Sequence, residues 1–181
     1  MRKLQTNELR RLTEEEIKET TKNNVIVVLD NVRSLQNVGS VFRTGDAFLI
    51  QELWLAGITG VPPNRDIHKS ALGSENTVDW KYMTNDELKK QLQHLQQDGW
   101  KIVAVEQIDS SISLENFHPQ KDDKYCLILG NEVNGVSEEL LPLCDHALEI
   151  PQWGTKHSFN ISVATGIVLW EVVKKMRESN L

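Results

Sequence analysis

A chain of 181 residues, 39% apolar and 25% charged, suits one globular domain with a sizeable core rather than two. The formal net charge of −6 argues against bulk electrostatic coating of nucleic acid, while leaving local RNA contacts open. The apolar runs are too short for a transmembrane helix. The N-terminus lacks the apolar core of a secretory signal and is too acidic after Arg11 for a transit peptide, so a cytoplasmic location is expected.

Residues 1–24 read as a polar arm and a short helix. Thr13 and Glu16 have the spacing of a capping box, which predicts a helix over residues 14–22. Val25 to Leu29 is a β-branched run, the pattern of a strand buried on both faces, and Asp30 and Asn31 end it. A helix is predicted over residues 38–49 and a second strand over 52–56, followed by a loop-rich stretch over 57–83. Residues 85–97 read as a helix with Leu88, Leu92 and Leu95 on one face, closed by Gly99. Strands are predicted at Lys101–Val105, Tyr125–Leu129 and Ala147–Ile150, with a short helix over Ser137–Leu141. A last helix covers residues 161–177, with Val163, Ile167, Trp170 and Val173 at helical spacing. Strands alternating with helices predict an α/β fold, a mainly parallel sheet with helices on both faces.

Several common sites are missing. No G-x-G-x-x-G follows the first strand, so a dinucleotide fingerprint fails and an oxidoreductase reading weakens. Gly130 and Gly135 have phosphate-loop spacing, but Val136 and Ser137 stand where lysine and a hydroxyl would be needed. There is no G-x-S-x-G elbow. The two cysteines, Cys126 and Cys144, form neither a CxxC nor a cluster with histidine, so no disulfide framework and no metal site are expected. Cys126, inside the apolar YCLIL run, reads as a buried thiol.

Three polar stretches beside apolar runs remain. Asn37, Gly39 and Arg43 lie at the start of a helix, where an asparagine can be a cap and an arginine a solvated charge. The apolar neighbours Val41, Phe42 and Ala47 suggest instead a partly buried arginine stem, suited to phosphate recognition. Gly130-Asn131-Glu132 follows a buried strand directly. It reads as a turn with a helix-start charge, or as backbone that lets a ligand approach closely. From Ile150-Pro151 through Ser158-Phe159-Asn160-Ile161-Ser162, proline, glycine, hydroxyls and amides precede a long helix that needs only one of them as a cap.

These stretches, in this order, resemble the SpoU (TrmH-like) branch of the SPOUT RNA methyltransferases, over roughly residues 25–175. The resemblance implies a C-terminal trefoil knot in a SPOUT domain over residues 25–181. It implies methyl transfer from S-adenosylmethionine to a ribose 2′-hydroxyl of structured RNA, tRNA favoured over rRNA. Arg43, Asn37, Glu132, Ser158 and Asn160 match the catalytic cluster. Glu106, Gln107, Leu129, Gly130, Asn131, Gly135, Ile150 and Phe159 match the cofactor pocket, although relatives commonly carry leucine at the position of Phe159. His68 and Lys69 fall in a loop used near the substrate. With Arg43 and with Arg10 and Arg11 of the arm, they are the candidates for RNA contact. Lys174, Lys175 and Arg177 at the other end are either solvated charges or further contacts. The resemblance also implies a homodimer with a shared site, the last helix supplying the interface or the core. The rival readings are a non-enzymatic RNA-binding protein on this fold and a methyltransferase acting on an RNA base.

Overall fold

The computed structural model describes residues 1–5 and 8–178; residues 6–7 of the expected arm and 179–181 of the expected domain lie outside the described residues. Thr13 caps the first helix, α1 (Glu14–Glu19), through the reciprocal bonds of a capping box. The helix stops at Glu19, short of residue 22, because Thr20 is already extended. There follow β1 (Asn23–Asp30), α2 (Leu35–Ala47), β2 (Ile50–Ala56), α3 (Arg65–Ala71), β3 (Trp80–Met83), α4 (Asn85–Gln97), β4 (Lys101–Val105), β5 (Ile112–Ser113), β6 (Tyr125–Leu129), β7 (His146–Glu149) and α5 (Ile161–Glu178).

The seven strands form one parallel sheet in the order β3-β2-β1-β6-β4-β7-β5. β1 and β6 lie at its middle, and the VIVVL and YCLIL runs are buried throughout. Alternate residues of each strand serve opposite faces. Val25, Val27, Leu29, Leu53, Leu55 and Leu127 pack under α2, α3 and α5. Ile26, Val28, Trp54, Ile102, Cys126 and Ile128 pack against Leu88 and Leu92 of α4. Helices therefore cover both faces, as the alternating pattern predicts. Cys126 is fully buried, and burial pushes its thiol well above the ordinary range.

Several elements differ from the sequence reading. The stretch 57–83 holds α3 and β3. α3 is only seven residues long, capped by Asn64 and closed by Leu72 at a left-handed φ of 55°, so it carries little periodicity. β3 is an edge strand with one buried residue and lacks an apolar run. Ser137–Leu141 is not a helix: the Ser137 amide donates to the buried Asp30 carboxylate, and only a 3-10 turn at Leu141–Leu143 follows. α2 begins at Leu35, with Ser34 as its cap, so Asn37 sits inside the first turn. The apolar stripe of α5 is divided, Val173 entering the core while Val163 and Trp170 are exposed.

Candidate active site at the carboxyl ends of the strands

In a parallel sheet the ends of the strands open into a crevice where the crossovers diverge. Here the carboxyl ends of β4, β6 and β7 border a cleft of about 510 Å³, within the usual range for small-molecule sites. Its lining includes Glu106, Gln107, Leu129, Gly130, Asn131, Gly135, Ile150 and Phe159, the whole set expected of a cofactor pocket, and also Glu132, Ser158 and Asn160.

The turn after β6 is built from its own side chains. Asn131 and Gly135 exchange backbone hydrogen bonds of 2.8 and 2.9 Å. The Asn131 amide oxygen accepts from Val133 and Asn134, and its amide nitrogen donates to the Asn31 carbonyl at 2.7 Å. Asn131 is thus buried scaffolding for the cleft wall. A Cβ on Gly130 would fall 2.0 Å from the backbone of Gly135 and Val136. Gly135 has φ +69°, and a Cβ there would lie 2.0 Å from Glu106 Oε2. That carboxylate accepts from the Val136 and Gln107 amides, both at 2.9 Å, and so ties the end of β4 to the glycine turn.

Glu132 is a helix-start charge, but for a helix about one hundred residues earlier. Its carboxylate accepts from the Arg33 and Ser34 amides at 3.2 and 3.1 Å, at the N-terminus of α2, and from the Asn37 side chain at 3.3 Å. Burial raises the Glu132 carboxyl, but these amides, with its own, outweigh it and hold it below the ordinary carboxylate range. Asn160 donates to the Asn37 side-chain oxygen at 3.1 Å, while its own oxygen accepts from Ser162 and caps α5. Three residues far apart in sequence, Asn37, Glu132 and Asn160, therefore join in one hydrogen-bond chain at the cleft. Ser158 lines the cleft and is exposed.

Other candidates are not brought there. Arg43 is exposed and does not line the cleft of its own chain, and among the described residues it makes no hydrogen bond or ion pair. The residue as a whole is exposed, where the sequence suggests a partly buried stem. Val41 and Phe42 turn into the core, and the helical rotation carries Arg43 away from them. His68 and Lys69 sit on α3, outside the cleft, His68 paired with Glu75 and Lys69 with Asp66. Arg10 and Arg11 are exposed on the arm. Lys175 is neither a solvated charge nor an available RNA contact. It pairs with Glu171 at 2.9 Å and donates to the Leu114, Glu115 and Phe117 carbonyls. Among the described residues no cluster of metal-ligating side chains occurs, and no helix is long and apolar enough to cross a membrane. The sequence reading missed the Arg33 and Ser34 amides and the lining residues Gln152 and His157. A backbone donor leaves no mark in residue type, and the other two stood within a motif already singled out.

Residues 24–170 match the SpoU rRNA Methylase family. The chain belongs to this family. Similar proteins include the tRNA (guanosine(18)-2′-O)-methyltransferase of Borreliella burgdorferi, 29% identical over 88% of this chain and 70% of that enzyme. The solved TrmH/SpoU tRNA modifying enzyme of A. aeolicus is 28% identical, with a TM-score of 0.79 over 92% of this chain and 85% of that one. An AdoMet-bound rRNA methyltransferase from Sinorhizobium meliloti is 26% identical, with a TM-score of 0.77. The match covers 87% of this chain but only 59% of that protein. The cleft fits a cofactor of that class. Gly130 lets backbone close in, Leu129, Ile150 and Phe159 offer an apolar wall, and the glycine turn is held by Glu106 and Asn131.

Proposed function

We propose that this chain transfers a methyl group from S-adenosylmethionine to a ribose 2′-hydroxyl of structured RNA, with tRNA favoured over rRNA. The observation that carries this reading is the hydrogen-bond chain of Asn37, Glu132 and Asn160 at the mouth of the strand-end cleft. The names of the relatives support it, and this chain spans 65–76% of the length of the tRNA enzymes against 57–62% of the rRNA enzymes.

S-adenosylmethionine, when bound, supplies an electrophilic methyl group. The protein must align the 2′-oxygen with it and ease loss of the hydroxyl proton. Alignment alone contributes about 7–11 kcal/mol in favourable cases. In this reading Leu129, Ile150 and Phe159 pack the adenosine part, while Gly130, Gly135, Glu106 and Gln107 border its polar edge. Ser158 and Asn160 orient the ribose, and Asn37 and Glu132 hold Asn160 in place. Arg43 supplies the guanidinium of the site. It binds the adjacent phosphate and stabilises the developing alkoxide. Because Arg43 lies outside its own cleft, the reading assigns it to the cleft of a second copy, in a homodimer that buries Val163 and Trp170 of α5. Arg10, Arg11, His68 and Lys69 would extend the RNA contact. The segment between β7 and α5 is read as the threaded part of a trefoil knot. Support comes from β7 lying beyond β4 in the sheet while α5 returns to α2. A tRNA substrate places the protein in the cytoplasm.

The test is methyl transfer from labelled S-adenosylmethionine to separate pools of unmodified tRNA and rRNA, with nucleosides identified by mass spectrometry. A 2′-O-methylnucleoside from the tRNA pool is expected, lost in Arg43→Ala while the fold persists. A base-methylated nucleoside would overturn the target atom. Cofactor binding without transfer to either pool would overturn the substrate, and no cofactor binding would favour a non-enzymatic RNA-binding protein.

A further inference from the structure

A second hollow, also about 510 Å³, opens beside α3, away from the strand-end cleft. Its walls include Pro63, Arg65, His68, Glu75, Asn76 and Trp80. Glu75 is the residue that needs an explanation. Its side chain is only 9% exposed. One carboxylate oxygen, Oε1, meets His68 Nδ1, and the other, Oε2, is buried with no hydrogen-bond partner. Burial raises the Glu75 carboxyl, but His68 and the nearby Glu75 and Gly73 amides outweigh it and hold it below the ordinary carboxylate range. Those amides lie close enough to lower the carboxyl, yet Oε2 makes no direct hydrogen bond to them or to another group among the described residues, and a buried carboxylate oxygen without a direct donor is costly. The His68 side chain is 68% exposed, so its ring borders solvent on the open side of the pair.

The surroundings specify what such donors would belong to. Trp80 gives the hollow an aromatic wall, suited to stacking a planar base. Arg65 is an exposed cation at the rim, suited to a phosphate. The hollow is also coupled to the helix that carries Arg43. Trp80 packs edge-on to Phe42, with ring centroids 6.3 Å apart. Gly39 of α2 lies so close to α3 that a Cβ would fall 2.1 Å from Ser70 Oγ and 2.3 Å from the Ile67 carbonyl.

A carboxylate only accepts. Two acceptor oxygens side by side match two N–H donors side by side. Among the four bases only guanine presents that pair, N1–H and N2–H, on its pairing edge. Adenine and cytosine set one amine beside an acceptor nitrogen, and uracil sets one N–H between two carbonyls. We propose that the hollow is a guanine-selective nucleobase site, in which the Glu75 carboxylate accepts from N1–H and N2–H once the His68 ring is displaced and Trp80 stacks the base. The site deepens the RNA reading above, on which its physiological ligand rests: it selects a guanosine of the bound RNA.

The test uses free nucleotides, so that it stands apart from methyl transfer. GMP, IMP, AMP and UMP are titrated into the full chain, and the Trp80 indole N–H is followed by NMR, assigned with Trp80→Phe. GMP is expected to shift that signal at roughly tenfold to a hundredfold lower concentration than AMP or UMP. IMP, which lacks the N2 amine, should bind more weakly than GMP. Glu75→Gln should lose the preference with its thermal midpoint monitored alongside. A purely structural His68–Glu75 pair would give no GMP selectivity. Equal response to GMP and AMP, equal response to GMP and IMP, or no shift with GMP would overturn the proposal. If RNA methylation failed while GMP selectivity held, the function proposed above would fall and the nucleobase site would stand.

Discussion

Replacing Gly135 with alanine tests the construction of the cleft wall directly. Two costs follow from the structure. Gly135 has φ +69°, and an alanine held in that left-handed region costs about 1–2 kcal/mol. The new Cβ would lie 2.0 Å from Glu106 Oε2, so the carboxylate must leave its 2.9 Å bond to the Val136 amide. A hydrogen bond to a charged group contributes about 1.5–3 kcal/mol. The two together come to roughly 3–5 kcal/mol. For a chain of this length that corresponds to a fall of about 6–20 °C in the melting midpoint. Affinity for S-adenosylmethionine should fall as well, because the displaced groups border the cleft. Thermal melts and cofactor titration should be run on Gly135→Ala, Glu106→Ala and the double variant. Glu106→Ala already removes the clash, so the double variant should be less destabilised than the sum of the singles by about 1.5–3 kcal/mol. Strict additivity, or a Gly135→Ala protein within about 1 kcal/mol of the parent, would refute the reasoning.

Lys175→Met should destabilise by about 1–3 kcal/mol, because the Leu114, Glu115 and Phe117 carbonyls lose a shared donor; unchanged urea midpoints would count against it. The Glu132 carboxyl is held below its ordinary value, so its contribution is present above about pH 4.5 and is lost as pH falls through the lower folded value. Stability measured from pH 3 to 7 should therefore fall less steeply on the acid side in Glu132→Gln. Cys126 is fully buried with its thiol pushed up, and Cys144 is raised to about 11. Native protein at pH 7.5 should resist iodoacetamide at Cys126 and react slowly at Cys144, both becoming reactive in urea. Rapid native labelling of Cys126, read by mass spectrometry, would contradict its placement.

The central strands are written in the amino-acid order alone, because VIVVL and YCLIL are long enough and branched enough to demand burial on both faces. The same holds for α4, α5 and the capping box of α1, whose signals lie within one or two helical turns. The lining of the strand-end cleft was legible from the motifs around Gly130 and Ile150 through family resemblance, not through periodicity. Relations between distant segments, by contrast, were set by the packing of the chain. Glu132 caps a helix about one hundred residues away, Lys175 binds carbonyls about sixty residues away, and Arg43 lies outside its own cleft. The short α3 and the edge strand β3 belong with these, since the packing of α3 on α2 and of β3 beside β2 holds them in place. Local propensity and hydrophobic period report on neighbours along the chain. Charge pairing, cap donation and close backbone approach report on neighbours in space, and those exist only once the sheet has ordered its strands.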